Sequence, residues 1–206
     1  ENIQNANIIT FDLITDEEIN ELSRIMKTKY NETEIPTTKV LSWLKNGLEI
    51  HKDEHANRCQ FCGNVIKLEE IEDKIEKYLN DKKQQDLLII ERISAKVNTI
   101  INQVQQLNEN KILLENIVGE NISLHYENIK KQIECLSNIF DIINSKLSKF
   151  ESQINIDINI IKNSNKLIIS NINDIKTAKE IKENEITNII NKSNTLIKGS
   201  IANEII

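Results

Sequence analysis

Apolar residues recur in steps of three and four through most of this chain, the spacing that lines one face of a coiled helix. From Ile66 the seam runs through Leu68, Ile71, Ile75 and Tyr78, and after a polar interval at 80–86 it resumes as Ile90, Ile93, Val97, Ile100, Val104 and Leu107. Joining the two through Leu79, Lys83 and Asp86 demands an extra residue of phase, a stutter that locally unwinds a supercoil. The arm is expected to weaken there. Val118-Gly119-Glu120-Asn121 reads as a turn, and beyond it a second seam passes through Ile122, Tyr126, Ile129, Ile133, Leu136, Phe140, Ile143, Leu147, Phe150 and Ile154. Two heptad arms meeting at a short turn predict a long antiparallel coiled-coil hairpin over 66–173. Its facing pairs should be centred near residue 120, with Leu114 opposite Tyr126, Leu107 opposite Ile133, Val97 near Ile143 and Leu68 opposite Ile172. With a rise of ~1.5 Å per residue, the first arm is about 80 Å long.

Ile154, Ile156, Ile158 and Ile160 alternate with polar residues, which in isolation is the period of a strand. The heptad phase of the flanks and the lack of a turn signal favour helix instead. Over 174–206 the second arm outlasts the first, so Ile175, Ala178, Ile181, Ile186, Ile190, Ile197 and Ile201 need another surface. The surface predicted for this returning helix is a small helical head at 1–65.

Within that head, residues 2–13 lack helical spacing and read as a short strand or an extended lead-in. Thr15-Asp16-Glu17-Glu18 has the form of a capping box, so a helix should follow to about Tyr30 with Ile19, Leu22, Ile25 and Met26 inward. The segment 31–36 ends it, because Pro36 disfavours a helical Ile35. A second helix is predicted from Thr37 or Thr38, burying Val40, Leu41, Trp43 and Leu44 and closing near Gly47. Trp43 is read as a packing residue of the head.

Composition narrows the class. Aromatic residues are 4 % of the 206, with Gly 4 and Pro 1 against 28 % charged, which suits long amphipathic helices better than an ordinary globular core. A formal charge of -6 leaves no general electrostatic footprint for nucleic acid. No apolar run approaches the roughly 18 residues of a membrane span, and no signal peptide opens the sequence. The chain begins at Glu1 and its single Met is Met26, which is expected of an internal fragment or a processed chain. Three cysteines do not make a secreted disulfide framework, and a reducing cytoplasm fits them best.

Cys59 and Cys62 stand at the spacing that points two sulfurs at one Zn²⁺, but a tetrahedral site needs four ligands. The others could come from His51 and His55 in the same loop, or from the same cysteine pair in a second chain. The plainer reading is a turn whose cysteines are small buried hydrophobes. His125 and Cys135 receive no role. Lys198-Gly199-Ser200 lacks the glycine that would precede it in a phosphate loop, and neither a Ser/His/Asp arrangement nor a paired acid motif is present. A thiol oxidoreductase is disfavoured, since its C-x-x-C belongs in a βαβ context.

Trp43-x-x-x-Gly47-Leu48-x-x-His51 followed by Cys59-Gln60-Phe61-Cys62-Gly63 resembles a segment of the SMC-like AAA/ABC-type ATPases, in the group that includes the PrrC and RloC anticodon nucleases. There C-P-F-C precedes a long coiled coil inserted between the ATPase halves. Gln60 replaces the usual Pro here, and the polar run KDEHANR separates His51 from Cys59. The resemblance covers residues 37–68, about a quarter of the chain. It implies a non-catalytic insert acting as a lever or docking arm, with ATP and Mg²⁺ bound only by other parts of the protein. The implied partners are the rest of the ATPase, a second copy in a homodimer, or a protein at the coiled-coil tip, with nucleic acid reached through other domains and no membrane. The competing reading is a free-standing helical scaffold or a helical-bundle toxin. The expected fold is therefore mainly α, a small head with a C-x-x-C knuckle and a long antiparallel hairpin.

Overall fold

The computed structural model describes residues 7–30, 37–53, 58–59, 62–65, 67–119 and 122–204, with side chains to 198. The fold is mainly α. Among the described residues there are seven helices: α1 Asp16–Lys27, α2 Thr38–Asp53, α3 Leu68–Asn80, α4 Lys82–Asn102, α5 Val104–Val118, α6 Ser123–Ser148 and α7 Ile158–Glu204. The one extended pairing among them is an isolated antiparallel bridge between Arg58 and Val65.

Helix α1 starts where its capping box predicts. The Thr15 amide donates to Glu18 Oε2 at 2.9 Å and the Glu18 amide donates to Thr15 Oγ1 at 3.2 Å, so two otherwise unpaired donors are satisfied reciprocally. Ile19, Leu22, Ile25 and Met26 are all buried. The extended lead-in before it is held by side chains: the Ile9 amide donates to Asn110 Oδ1, and the Asn110 and Gln103 amide groups donate to the carbonyls of Asn7 and Thr10.

The seams are largely as predicted. Ile90, Ile93, Val97, Ile100, Leu107 and Leu114 are buried, as are Ile122, Tyr126, Ile129, Ile133, Leu136 and Ile143. Gly119 ends α5 with φ 104°, its amide donating to the Glu115 carbonyl at 2.9 Å, a backbone state that side chains rarely allow. Glu120 and Asn121 of the expected turn lie outside the described residues.

Two expectations are corrected. The polar interval near 80–86 is a break between helices, because Asp81 adopts an extended backbone and caps α4, accepting the Gln84 amide at 3.1 Å. The second arm is not continuous through Ile154 to Ile160: α6 stops at Ser148 and α7 begins at Ile158. The intervening 149–157 finds backbone partners at the end of α1, where Tyr30 donates to the Glu151 carbonyl at 3.2 Å and Ile154 to the Met26 carbonyl at 2.9 Å. Tertiary hydrogen bonds therefore outweigh the local helical phase. Along α7 beyond Ile175, large apolar side chains face solvent. Ile181, Ile189, Ile190, Leu196 and Ile197 are exposed.

The chain forms two compact units. The first comprises Glu1–Ile19, Lys96–Asp141 and Asp157–Ile206, and the second Asn20–Ala95 and Ile142–Ile156. In the first, α5 packs on α7, and Lys111 of α5 meets Glu127 of α6 at 2.9 Å while Tyr126 donates to Asn110 at 2.6 Å. Helix α6 meets α7 through Gln132 and Ser164 at 3.2 Å and through His125 and Asn171 at 2.9 Å. In the second, α2 packs on α3, and Ser94 of α4 donates to Asn144 of α6 at 3.2 Å.

Candidate functional site

The residues singled out by sequence lie on α2 and in the turn that joins it to α3. Lys52 near the end of α2 pairs with Glu72 of α3 at 2.5 Å, and the chain reverses between Arg58 and Val65. In that turn the Cys59 amide donates to the Asn64 carbonyl at 2.7 Å and the Gly63 amide donates to the Cys59 carbonyl at 2.8 Å. Gly63 takes φ 73°, which suits a residue without Cβ. Cys62 is exposed and Cys59 half-buried, and neither is in a disulfide. His51 sits on the last turn of α2 with Nδ1 2.6 Å from the Gly47 carbonyl. His55 lies outside the described residues. Among the described residues no three His, Cys, Asp or Glu side chains gather into a metal-holding group.

Trp43 and Gly47 are not where the sequence reading puts them. Helix α2 runs through Gly47 to Asp53, so this glycine is a helix-interior residue and not a closing cap. Trp43 is 66 % exposed; Leu41, on another face, is the buried residue of the helix. The helix runs six residues, nearly two turns, past the predicted stop, and its less exposed face is the one that carries Leu41, Leu44 and Leu48.

A polar cluster that sequence reasoning missed ties α1 to the start of α4 and to the end of α6 with the segment after it. Asp86 is fully buried yet accepts both guanidinium nitrogens of Arg24, at 2.6 and 2.7 Å, the Tyr30 hydroxyl at 2.6 Å and Lys82 at 3.0 Å. Burial alone would raise its pKa, but the Arg24, Tyr30 and Lys82 hydrogen bonds outweigh that and bring it down to about 2. The same burial, together with the carboxylate, drives the Tyr30 hydroxyl well above its ordinary range. Nearby, Lys146 is fully buried and donates to the carbonyls of Thr28 at 2.9 Å and Ser152 at 2.5 Å. Its ammonium lies 5.1 Å from the Tyr30 ring and 5.2 Å from Phe150, two rings that stack at 4.7 Å. Burial lowers the Lys146 pKa, against a smaller opposing pull from Glu151. Lys83 completes the set with Glu151 at 2.7 Å. An aspartate held ionised, a tyrosine held protonated and a lysine that donates to two backbone carbonyls make a structural clamp. The sequence signal was there: Lys83 and Asp86 occupy seam positions, and a charge in a seam must be paired to be buried.

Over 193 residues, 92 % of its length, the chain is 28 % identical to the uncharacterized chromosomal cassette SCCmec type IVc protein CR006 of Staphylococcus aureus strain MRSA252. A Staphylococcus aureus protein of the same name matches to the same extent. The chain spans about a quarter of the length of these relatives, 26 %. No protein-family profile matches the chain, and no solved structure matches it. Among the described residues no helix is long and apolar enough to cross a membrane.

Proposed function

We propose that this chain is a non-catalytic coiled-coil insert of an SMC-like, PrrC-like ATPase of the cytoplasm, working as a lever or partner-docking arm. The observation that carries the reading is register. Contacts between the two predicted arms fall around one centre: Lys111 with Glu127 and Asn110 with Tyr126 in the first unit, and Ser94 with Asn144 in the second, have midpoints at residues 118 to 119, beside Gly119. A hairpin of α4, α5 and α6 turning at Gly119, with α7 alongside α5 and α6, accounts for them. The head of this proposal is residues 1–65, whose α1 is tied through Arg24 to Asp86 of α4.

The test uses a full-length protein that contains this segment, beside the segment alone. As an insert, the isolated chain hydrolyses no ATP and leaves host growth unchanged, while a disulfide between cysteines placed at 107 and 133 forms within one chain and alters nucleotide turnover of the full-length protein. Growth arrest by the isolated chain favours the toxin reading, and unaltered turnover removes the lever. Zinc is a separable proposal, resting on the turned Cys59 and Cys62 with His51 and His55. About one equivalent by elemental analysis, lost in Cys59→Ser, is its expected result.

A further inference from the structure

The outer face of α2 carries a second apolar stripe that, among the described residues, is left exposed. Val40, Trp43 and Ile50 are 44 %, 66 % and 56 % exposed, and with Gly47 they fall in steps of three, four and three. That is a heptad seam, lying apart from the face that meets α3. Gly47 is the odd member, a poor helix former in a helix interior. Its backbone is not in the left-handed region, and a Cβ there would meet nothing within 4 Å among the described residues. Neither backbone conformation nor a close approach among those residues asks for a glycine at this place.

We infer that α2 pairs antiparallel with α2 of a second copy, about a two-fold axis at the level of residue 45. The stripe is self-complementary about that point. Val40 and Ile50 stand five residues to either side and Trp43 and Gly47 two, so each Trp43 seats over Gly47 of the second copy and each Val40 meets Ile50. Isologous pairing demands this symmetry, and a large ring against a glycine is what lets the helices approach. Charge agrees with it. Lys39 and Asp53 lie on one flank of the stripe at opposite ends of α2, where antiparallel pairing opposes each Lys39 to Asp53 of the second copy. Parallel pairing would instead stack the two tryptophans and leave the glycines facing one another. The inference stands independently of the ATPase reading, since it uses only α2.

Sedimentation equilibrium of the 206-residue chain over a wide concentration range should show a reversible dimer. Trp43→Ala should weaken it at least ten-fold, as expected when a central aromatic anchor is lost. Gly47→Ile is the sharper variant. It replaces a poor helix former where the chain has room, so helicity by circular dichroism is kept or raised, yet it fills the seat of Trp43 and should also weaken the dimer at least ten-fold. A merely sticky patch would associate more strongly with the added isoleucine. Lys39→Asp and Asp53→Lys should each weaken the dimer, and the double exchange should restore it. A monomer at every concentration, a dimer unmoved by either Trp43→Ala or Gly47→Ile, or one tightened by Gly47→Ile overturns the inference.

Discussion

Asp86 shows how much one residue can hold in a chain with few aromatic side chains. Its carboxylate is removed from water but receives four charged or hydroxyl donors, so its burial is stable only while those partners stay. Asp86→Ala leaves Arg24 and the Tyr30 hydroxyl without their acceptor and should cost about 3 kcal/mol, read as a fall in the urea midpoint with unchanged slope. The pH dependence follows from the lowered pKa. With a folded value of about 2 against 3.8 for an unperturbed group, Asp86 contributes stability in full above about pH 4 and loses it as pH falls towards 2. The parent should lose more stability than Asp86→Ala over that window, by about 2 kcal/mol. Equal acid sensitivity of the two proteins would show that the Asp86 carboxylate does not hold α1 to α4. A second cluster is built on the capping box, where Lys96 bridges Glu18 at 3.0 Å and Asp12 at 3.1 Å. Burial opposes ionisation of Glu18, and the Thr15 amide and Lys96 outweigh it, so this pKa too is lowered.

At the scale of elements, what could be read from sequence was whatever local chemistry decides. The capping box fixed the start of α1, and Gly119 fixed the end of α5. Gly119→Ala tests the second: φ 104° is costly for any residue with a Cβ, while nothing lies within 4 Å of the added atom. The loss should therefore be backbone strain alone, about 2 kcal/mol by chemical denaturation. A neutral substitution would mean the turn relaxes without harm and does not set the register of α5 against α6. What could not be read was wherever a segment has a partner distant in sequence. Ile154 fits the heptad of α6 but lies outside any helix, because Met26 offers its carbonyl and Phe150 stacks on Tyr30. The seam also drifts before that point. Ile139 and Lys146 are buried where Phe140 and Leu147 were expected to lead, as on a helix that faces several neighbours instead of one. In α2 the error was opposite in kind. Gly47 is an interior residue of the helix and not a stop, and Trp43 is exposed on a face other than the one that carries the buried Leu41.

For the whole chain the informative feature is α7, whose 47 residues divide by burial and not by sequence pattern. Ile161, Ile168, Ile172 and Ile175 are buried in the first unit, and Asn165 and Ser164 add bonds to the Ile14 carbonyl and to Gln132. After Ile175 isoleucines continue along the helix, but Ile181, Ile189, Ile190, Leu196 and Ile197 are exposed. What remains there are local pairs such as Lys179 with Glu183 at 3.4 Å and Lys182 with Glu185 at 3.1 Å, each worth only a few tenths of a kcal/mol. A helix without a packed face is marginal in water, so the end of α7 should contribute little to the stability of this chain. Truncation after Lys179 should change the unfolding free energy by less than about 0.5 kcal/mol, whereas Ile168→Ala, in the buried half of the same helix, should cost about 3 kcal/mol. Amide exchange should show the same division, with protection equal to global unfolding up to about Ile175 and falling towards that of a fraying helix beyond it. In the insert reading the exposed stripe is covered only within a longer protein, so the same amides should gain protection there. Protection that is already global to residue 190 in the isolated chain would show that this half of α7 has a partner within the chain or in a second copy, and would remove it as the point of attachment to the rest of the protein.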